Sequence, residues 1–74
     1  MGFDYEKGLG RLEQLLQGRD PQFPMLDKAL RDNLRSERLF GSSPTVRSER
    51  ARLVSLLNTL ALRYGLLSFN SMCS

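Results

Sequence analysis

Three breaks divide the chain into segments in which leucines recur at helical spacing. The breaks are "GRDPQFP" at residues 18–24, "GSSP" at residues 41–44, and Gly65. Glycine accepts the left-handed backbone that ends helices, and proline has no amide proton with which to continue one. Alternating strand patterns with hairpin turns are absent from the sequence. The pattern predicts an all-α fold, a small bundle of about four to six helices.

The first helix is predicted over residues 4–17, with Asp4 as its N-cap and Gly18 in the left-handed conformation at its end. Its apolar stripe is predicted to hold Tyr5, Leu9, Leu12 and Leu16, with Leu15 beside it. Gly8 and Gly10 each destabilise such a helix by up to about 1 kcal/mol relative to alanine. We therefore expect this helix to depend on packing, and the two glycines to allow another helix to approach closely.

The second helix is predicted over residues 24–38, with Pro24 in its first position. Its stripe is expected to consist of Leu26, Ala29, Leu30 and Leu34. Two pairs at i,i+4 spacing, Asp27 with Arg31 and Lys28 with Asp32, occupy the remaining surface, and each contributes about 0.2 to 0.5 kcal/mol if it forms. We interpret this surface as solvent-exposed. Leu39 and Phe40 are expected to enter the core after the helix ends.

The third helix is predicted over residues 44–64, after an N-cap at Ser42 or Ser43. At about 100° per residue, one broad arc is expected to face the core. This arc holds Leu53, Val54, Leu56, Leu57, Leu60, Ala61 and Tyr64. After Gly65, the apolar residues Leu66, Leu67, Phe69 and Met72 predict a segment that folds back on the bundle, with a short final turn capped by Ser68 or Asn70.

Histidine, the commonest general base and transition-metal ligand, is absent from the sequence. The sequence also lacks a phosphate-binding glycine motif and a nucleophile elbow. Cys73 has no histidine to deprotonate it, and we interpret it as a small, partly buried apolar residue near the edge of the domain. We therefore expect no enzymatic activity, no cofactor and no metal.

The 74 residues allow one small domain, which we interpret as part of a larger multidomain protein. A lone cysteine needs no oxidising compartment, and the sequence has neither a signal peptide nor an apolar run of the roughly 20 residues that span a bilayer. We expect a cytoplasmic protein that does not bind membranes. Charge is uneven, because residues 1–37 carry seven acids and six bases whereas residues 38–74 carry one acid and five bases. This division favours contacts between unlike faces.

The third helix begins with the charged residues Arg47, Glu49, Arg50 and Arg52. Helical geometry places Glu49 and Arg50 on the core side, where Glu37 or Asp32 is a possible ion-pair partner, and Arg52 on the outer side. Arginines at a helix start also suggest a helix-turn-helix that binds nucleic acid. The acids of the first half oppose that interpretation, so we expect no nucleic-acid binding. Another alternative is a dimerisation scaffold that assembles through apolar contacts.

Four sequence elements occur together: "LFG" at residues 39–41, "RSER" at 47–50, "LLNTLA" at 56–61 and "SFNSMC" at 68–73. Over residues 26–73 the chain resembles a bacterial effector-associated, death-like domain, with Met72 where that pattern has leucine. The resemblance implies a death-like helical adaptor fused to proteins of bacterial immunity or programmed cell death, such as STAND-type NTPases and caspase-like peptidases. It also implies recruitment of like domains by self-association, in some relatives into oligomers or filaments.

We therefore predict a homotypic interaction domain. The predicted interface residues are Arg47, Arg50 and Arg52, then Arg35, Arg38 and Asp32, with Asp4, Glu6 and Glu13 as acidic partners. A head-to-tail contact between such unlike faces generates rings or open filaments.

Overall fold

A computed structural model describes residues 2–74 and contains four α-helices over that range. They are α1 (Tyr5–Leu16), α2 (Phe23–Phe40), α3 (Pro44–Arg63) and α4 (Phe69–Met72). No strand occurs in the described residues. The prediction of a small all-α bundle is thereby confirmed, with four helices.

Side-chain caps begin three of the helices at predicted positions. The Asp4 carboxylate accepts the amide of Lys7 at 3.1 Å at the start of α1. The Ser43 hydroxyl accepts the amide of Val46 at 3.2 Å before α3, and the Ser68 hydroxyl accepts the amide of Ser71 at 3.2 Å before α4. Each cap satisfies an amide that has no partner within its helix. Helix starts are therefore decided locally in this chain.

Helix α2 is longer than predicted and corrects the expectation for Leu39 and Phe40. It begins at Phe23 and continues through Phe40 to Gly41, which adopts a φ of 86°. Leu39 is 66% exposed and Phe40 is 83% exposed, so their predicted entry into the core is wrong. Because the helix continues, Leu39 lies about 180° around its axis from the buried Leu30.

The core is built mainly from leucines of α1 and α3, closed by α4. Its buried apolar residues are Leu9, Leu12, Leu16, Phe23, Leu30, Leu53, Leu57, Leu60, Ala61, Phe69, Met72 and Cys73. Tyr5, Leu26, Ala29, Leu34, Val54, Tyr64 and Leu66 are partly buried against it. Leu56 and Leu67, both predicted to be core residues, are exposed. Leu56 lies at the edge of the α3 arc, and Leu67 lies in the loop before α4, where no helical period fixes its direction.

Helices α2 and α3 form an antiparallel hairpin, and α1 packs mainly on α4 and also on α2. The two ends of the chain meet, because the amide of Asp4 donates to the carbonyl of Cys73 at 2.9 Å. Close contact at this point requires Gly8, since a Cβ there would overlap the Cys73 sulfur and lie 3.0 Å from the Phe69 ring. The predicted close approach is confirmed at Gly8. The bundle is flat, with extents of 35 × 28 × 16 Å.

Candidate protein-interaction surface

Arg50 is bound inside the fold, between α2 and α3. Its guanidinium contacts Glu37 at 2.7 Å and donates to the side-chain oxygen of Asn33 at 2.9 Å. Asn33 is 3% exposed, and its amide donates to the carbonyl of Val46 at 3.0 Å and to Glu49 at 2.9 Å. These contacts join the two helices of the hairpin. The predicted position of Arg50 on the core side is therefore confirmed, and of the two possible partners, Glu37 and Asp32, the structure shows Glu37.

The electrostatics of this cluster stabilise its charged state. The hydrogen bond from Arg50 lowers the pKa of Glu37 against the opposing effect of burial, and the charge of Arg47 adds to the lowering. Arg50 also lies 5.8 Å from the centre of the Tyr5 ring, which ties α1 to the hairpin through a cation–π contact. A guanidinium with this many partners holds the helices together, and its side chain is only 16% exposed.

Arg47 and Arg52 differ from Arg50 in that both are exposed. The Arg47 guanidinium donates to the Ser42 hydroxyl at 3.0 Å. Neither Arg47 nor Arg52 forms an ion pair within residues 2–74. Their charges are therefore available to a partner.

The three candidates on α2 have different surroundings. Asp32 pairs with Lys28 at 3.1 Å, as the i,i+4 spacing predicts, and both side chains are largely exposed. Arg38 lies 3.7 Å from Glu6 of α1. Arg35 is exposed and has no ion pair in the part of the chain that the structure describes. Exposed pairs of this kind contribute at most about 1 kcal/mol, so they are easily exchanged for contacts with another molecule.

The acidic candidates at the start of α1 and within it also have different contacts. Asp4 caps its helix, and Glu6 contacts Arg38. Glu13 is exposed and, across the described residues, takes part in no ion pair. Nine interface residues were predicted, and Glu6 with Arg38 is the one ion pair that joins two of them. Arg50 and Asp32 pair with residues outside this set.

A groove of about 480 Å³ runs along one side of α3. Its walls are Tyr5, Arg47, Arg50, Ala51, Val54, Ser55, Asn58 and Asn70, and this set is called the α3 groove below. The lining contains two arginines and no acid. One end is closed by α4, where the Asn58 side chain accepts the amide of Asn70 at 3.0 Å. The groove is thus a basic surface with small side chains at its centre.

Two apolar features lie outside the charged surface. Leu39 and Phe40 are exposed at the end of α2. At the other end of the bundle, a groove of about 600 Å³ is lined partly by Leu15, Leu66 and Leu67. Exposed apolar side chains that lie close together are typical of surfaces that bind other proteins.

Asp20 is a structural residue that the sequence pattern did not reveal. Its buried carboxylate accepts the amides of Gln22 at 2.7 Å and Phe23 at 3.1 Å, and the Tyr64 hydroxyl at 2.8 Å. Burial alone raises the pKa of Asp20, but these hydrogen bonds and the charge of Arg63 outweigh it, so the pKa is lowered. The recognisable signal is an aspartate directly before proline at a helix start, a sequence that favours side-chain capping.

The described residues contain no group of three or more histidine, cysteine or acidic side chains placed to hold a metal ion. Cys73 is buried, and burial followed by the charge of Asp4 raises the pKa of its thiol. None of the helices described is long and apolar enough to cross a membrane. Comparison with known proteins finds no matching family, no matching curated protein and no matching solved structure.

Proposed function

We propose that this chain is a homotypic protein-interaction domain in which exposed arginines of α3 contact acidic side chains on α1 of another copy. The observation that carries the proposal is that unpaired charges of opposite sign lie on different helices. Arg47 and Arg52 of α3 are exposed without an ion pair in residues 2–74, and so is Glu13 of α1. Arginine is favoured at interfaces because its planar head forms paired hydrogen bonds with carboxylates.

The sequence resemblance gives this contact a biological setting. A death-like adaptor in the cytoplasm clusters or recruits an effector protein in a bacterial immune or cell-death system, and it needs no catalytic group of its own. A small all-α bundle is compatible with that role. Basic and acidic surfaces on different helices favour head-to-tail association, which produces rings or open filaments according to whether the rotation closes.

The proposal is tested by measuring the mass of the purified chain by sedimentation velocity over a range of concentrations. We expect self-association that weakens between low salt and about 0.5 M salt, because salt screens exposed charges. Arg52→Glu should abolish the association while helical content, measured by circular dichroism, stays unchanged. Lys28→Glu is the matched control, since it makes the same change of charge on an exposed side chain of α2. Normal assembly of Arg52→Glu would refute the assignment of Arg52.

A second candidate function is a scaffold that dimerises through apolar contacts. The observation that favours it is Phe40, which is 83% exposed at the end of α2. This scaffold predicts association that persists at about 0.5 M salt, since salt screens charges and does not weaken apolar contacts. It also predicts that Phe40→Ser dissociates the protein and that Arg52→Glu does not. The two variants therefore distinguish the candidates.

A further inference from the structure

Gly10 is a glycine that nothing inside the fold requires. A Cβ placed there has no heavy atom within 4 Å, whereas one at Gly8 would overlap Cys73. Gly10 lies within α1 and has no positive φ. Glycine destabilises a helix interior relative to alanine, so its presence here has a cost without a gain in the single molecule. A glycine does allow another backbone to come close to the helix.

Two of the exposed neighbours of Gly10 on α1 are acidic, whereas Gln14 is neutral and Lys7 donates from its ammonium group to the carbonyl of Ser74 at 3.3 Å. Glu6 and Glu13 lie four residues before it and three residues after it, so the three residues share one face. Tyr5, which lines the α3 groove, lies on a different side of α1, about 140° from Gly10 at 100° per residue. The acidic face of a molecule therefore does not reach its own α3 groove. Only another molecule can bring such a face into the groove.

The α3 groove matches this face in spacing and in charge. Along α3, Arg47, Ala51 and Val54 follow the same i, i+4, i+7 pattern as Glu6, Gly10 and Glu13 along α1. Both patterns cover about 10 Å at 1.5 Å per residue. Each has its small residue in second place; the α3 pattern begins with a basic residue and ends with Val54, whereas the α1 pattern has an acidic residue at both ends. The groove has no acidic side chain in its lining.

We propose that α1 of a second copy of this chain lies in the α3 groove, antiparallel to α3, with Gly10 opposite Ala51 and Glu13 opposite Arg47. This proposal rests on the homotypic function proposed above and specifies the contact made by Arg47. Arg52 does not line the groove, so its assignment is tested separately by Arg52→Glu. Glu13 is assigned to Arg47 because Glu6 already has Arg38 at 3.7 Å, while Glu13 forms no ion pair in the described chain. Since the groove and the acidic face are different surfaces, each copy offers both, and the contact repeats head to tail.

The charge part of the contact is tested by reversal and mixing. Arg47→Glu and Glu13→Arg should each raise the dissociation constant of self-association by about thirtyfold or more, as expected for a broken interfacial charge pair. A one-to-one mixture of the two variants should associate again. In the mixture, the acid introduced on α3 of one variant meets the base introduced on α1 of the other, and the unaltered Arg47 and Glu13 meet at the next contact. If the mixture remains monomeric while wild type associates, the pairing is wrong.

The backbone part is tested at Gly10. Gly10→Ala and Gly10→Leu should raise the midpoint of thermal unfolding or leave it unchanged, because a Cβ at this position meets nothing within 4 Å and both residues are better helix formers than glycine. Both should weaken self-association, and leucine more strongly than alanine. Lys28→Leu adds an exposed leucine to α2 and should leave association unchanged. If the Gly10→Leu protein does not fold, the same measurement is made on Gly10→Ala instead.

The different failures separate this contact from the general function. Wild-type protein that stays monomeric up to about 1 mM, the weak end of specific affinities, would overturn both proposals. Association that is lost in Arg52→Glu but unchanged in Gly10→Leu and Arg47→Glu would overturn the α3-groove contact and leave the homotypic function standing. Association that needs Gly10, Arg47 and Glu13 supports the contact proposed here.

Discussion

Gly8 and Gly10 are two residues apart in α1, and replacing each by alanine should change stability in opposite directions. Alanine stabilises a helix interior by about 0.5 to 1 kcal/mol relative to glycine. At Gly10 this gain is unopposed, because the new methyl group meets nothing within 4 Å. Gly10→Ala should therefore raise the free energy of unfolding by about 0.5 to 1 kcal/mol.

At Gly8 the same gain is outweighed by overpacking. The methyl group would overlap the sulfur of Cys73 and lie 3.0 Å from Cε1 of Phe69. Neither neighbour can easily move, because both are fully buried and the amide of Cys73 donates to the carbonyl of Phe69 at 3.1 Å. Overpacking of a core costs about 1 to 3 kcal/mol. After subtracting the helix gain, Gly8→Ala should lower the free energy of unfolding by up to about 2.5 kcal/mol.

The measurement is urea unfolding, followed by far-ultraviolet circular dichroism at a protein concentration where the chain is monomeric. Both variants should keep the wild-type dependence of free energy on urea, so that only the midpoint moves. Adding Cys73→Ala removes the overlapping sulfur, and Gly8→Ala should then be less destabilising than in wild type. If Gly8→Ala stabilises the protein as much as Gly10→Ala does, the contact of α1 with α4 described above is wrong.

Three further predictions concern charged and reactive side chains. Arg50→Leu should lower the free energy of unfolding by about 1 to 3 kcal/mol in urea titrations, because a buried asparagine loses its donor, whereas Arg52→Leu should stay within about 0.5 kcal/mol of wild type. Because the pKa of Asp20 is lowered in the fold, its carboxylate stabilises the protein above its unfolded-state pKa of about 3.9, and this contribution is lost as pH falls further. The loss of stability on acidification, measured by thermal unfolding from neutral pH to about pH 3, should be shallower in Asp20→Asn. Cys73 should react with iodoacetamide far more slowly in native protein than in urea, as followed by mass spectrometry, because the thiol is buried and its pKa raised.

The starts of the helices were predictable because their chemistry is local. A capping side chain and the amide that it accepts are three residues apart, as Asp4, Ser43 and Ser68 show. Burial at a helix end was harder to predict. Two additional residues of α2 turned Leu39 and Phe40 outward, since each residue of a helix rotates the side-chain direction by about 100°.

The polar contacts between helices were only partly predictable. Periodicity placed Arg50 on the core side and identified Glu37 as a possible partner, which the structure confirms. It did not identify Asn33, although this residue continues the stripe of Leu26 and Leu30 at i+7 and i+3 spacing. Asp20 was missed because its partner Tyr64 lies 44 residues away along the chain. Pairings of that kind depend on how the helices pack, and a single sequence does not specify this.

Self-association and stability are linked in a chain of this size, and the link gives the proposed contact a second consequence. A domain of about 60 to 75 residues buries only roughly 60% of the surface that its unfolded chain exposes, so its stability is modest. A second copy that binds the native state and not the unfolded state raises the free energy of unfolding. The increase is about 2.7 kcal/mol at a concentration one hundred times the dissociation constant. The midpoint temperature of thermal unfolding of the wild-type protein should therefore rise with protein concentration. In Gly10→Leu the shift should be lost, although the dilute protein unfolds no earlier than wild type. An unchanged shift in this variant would contradict the α3-groove contact.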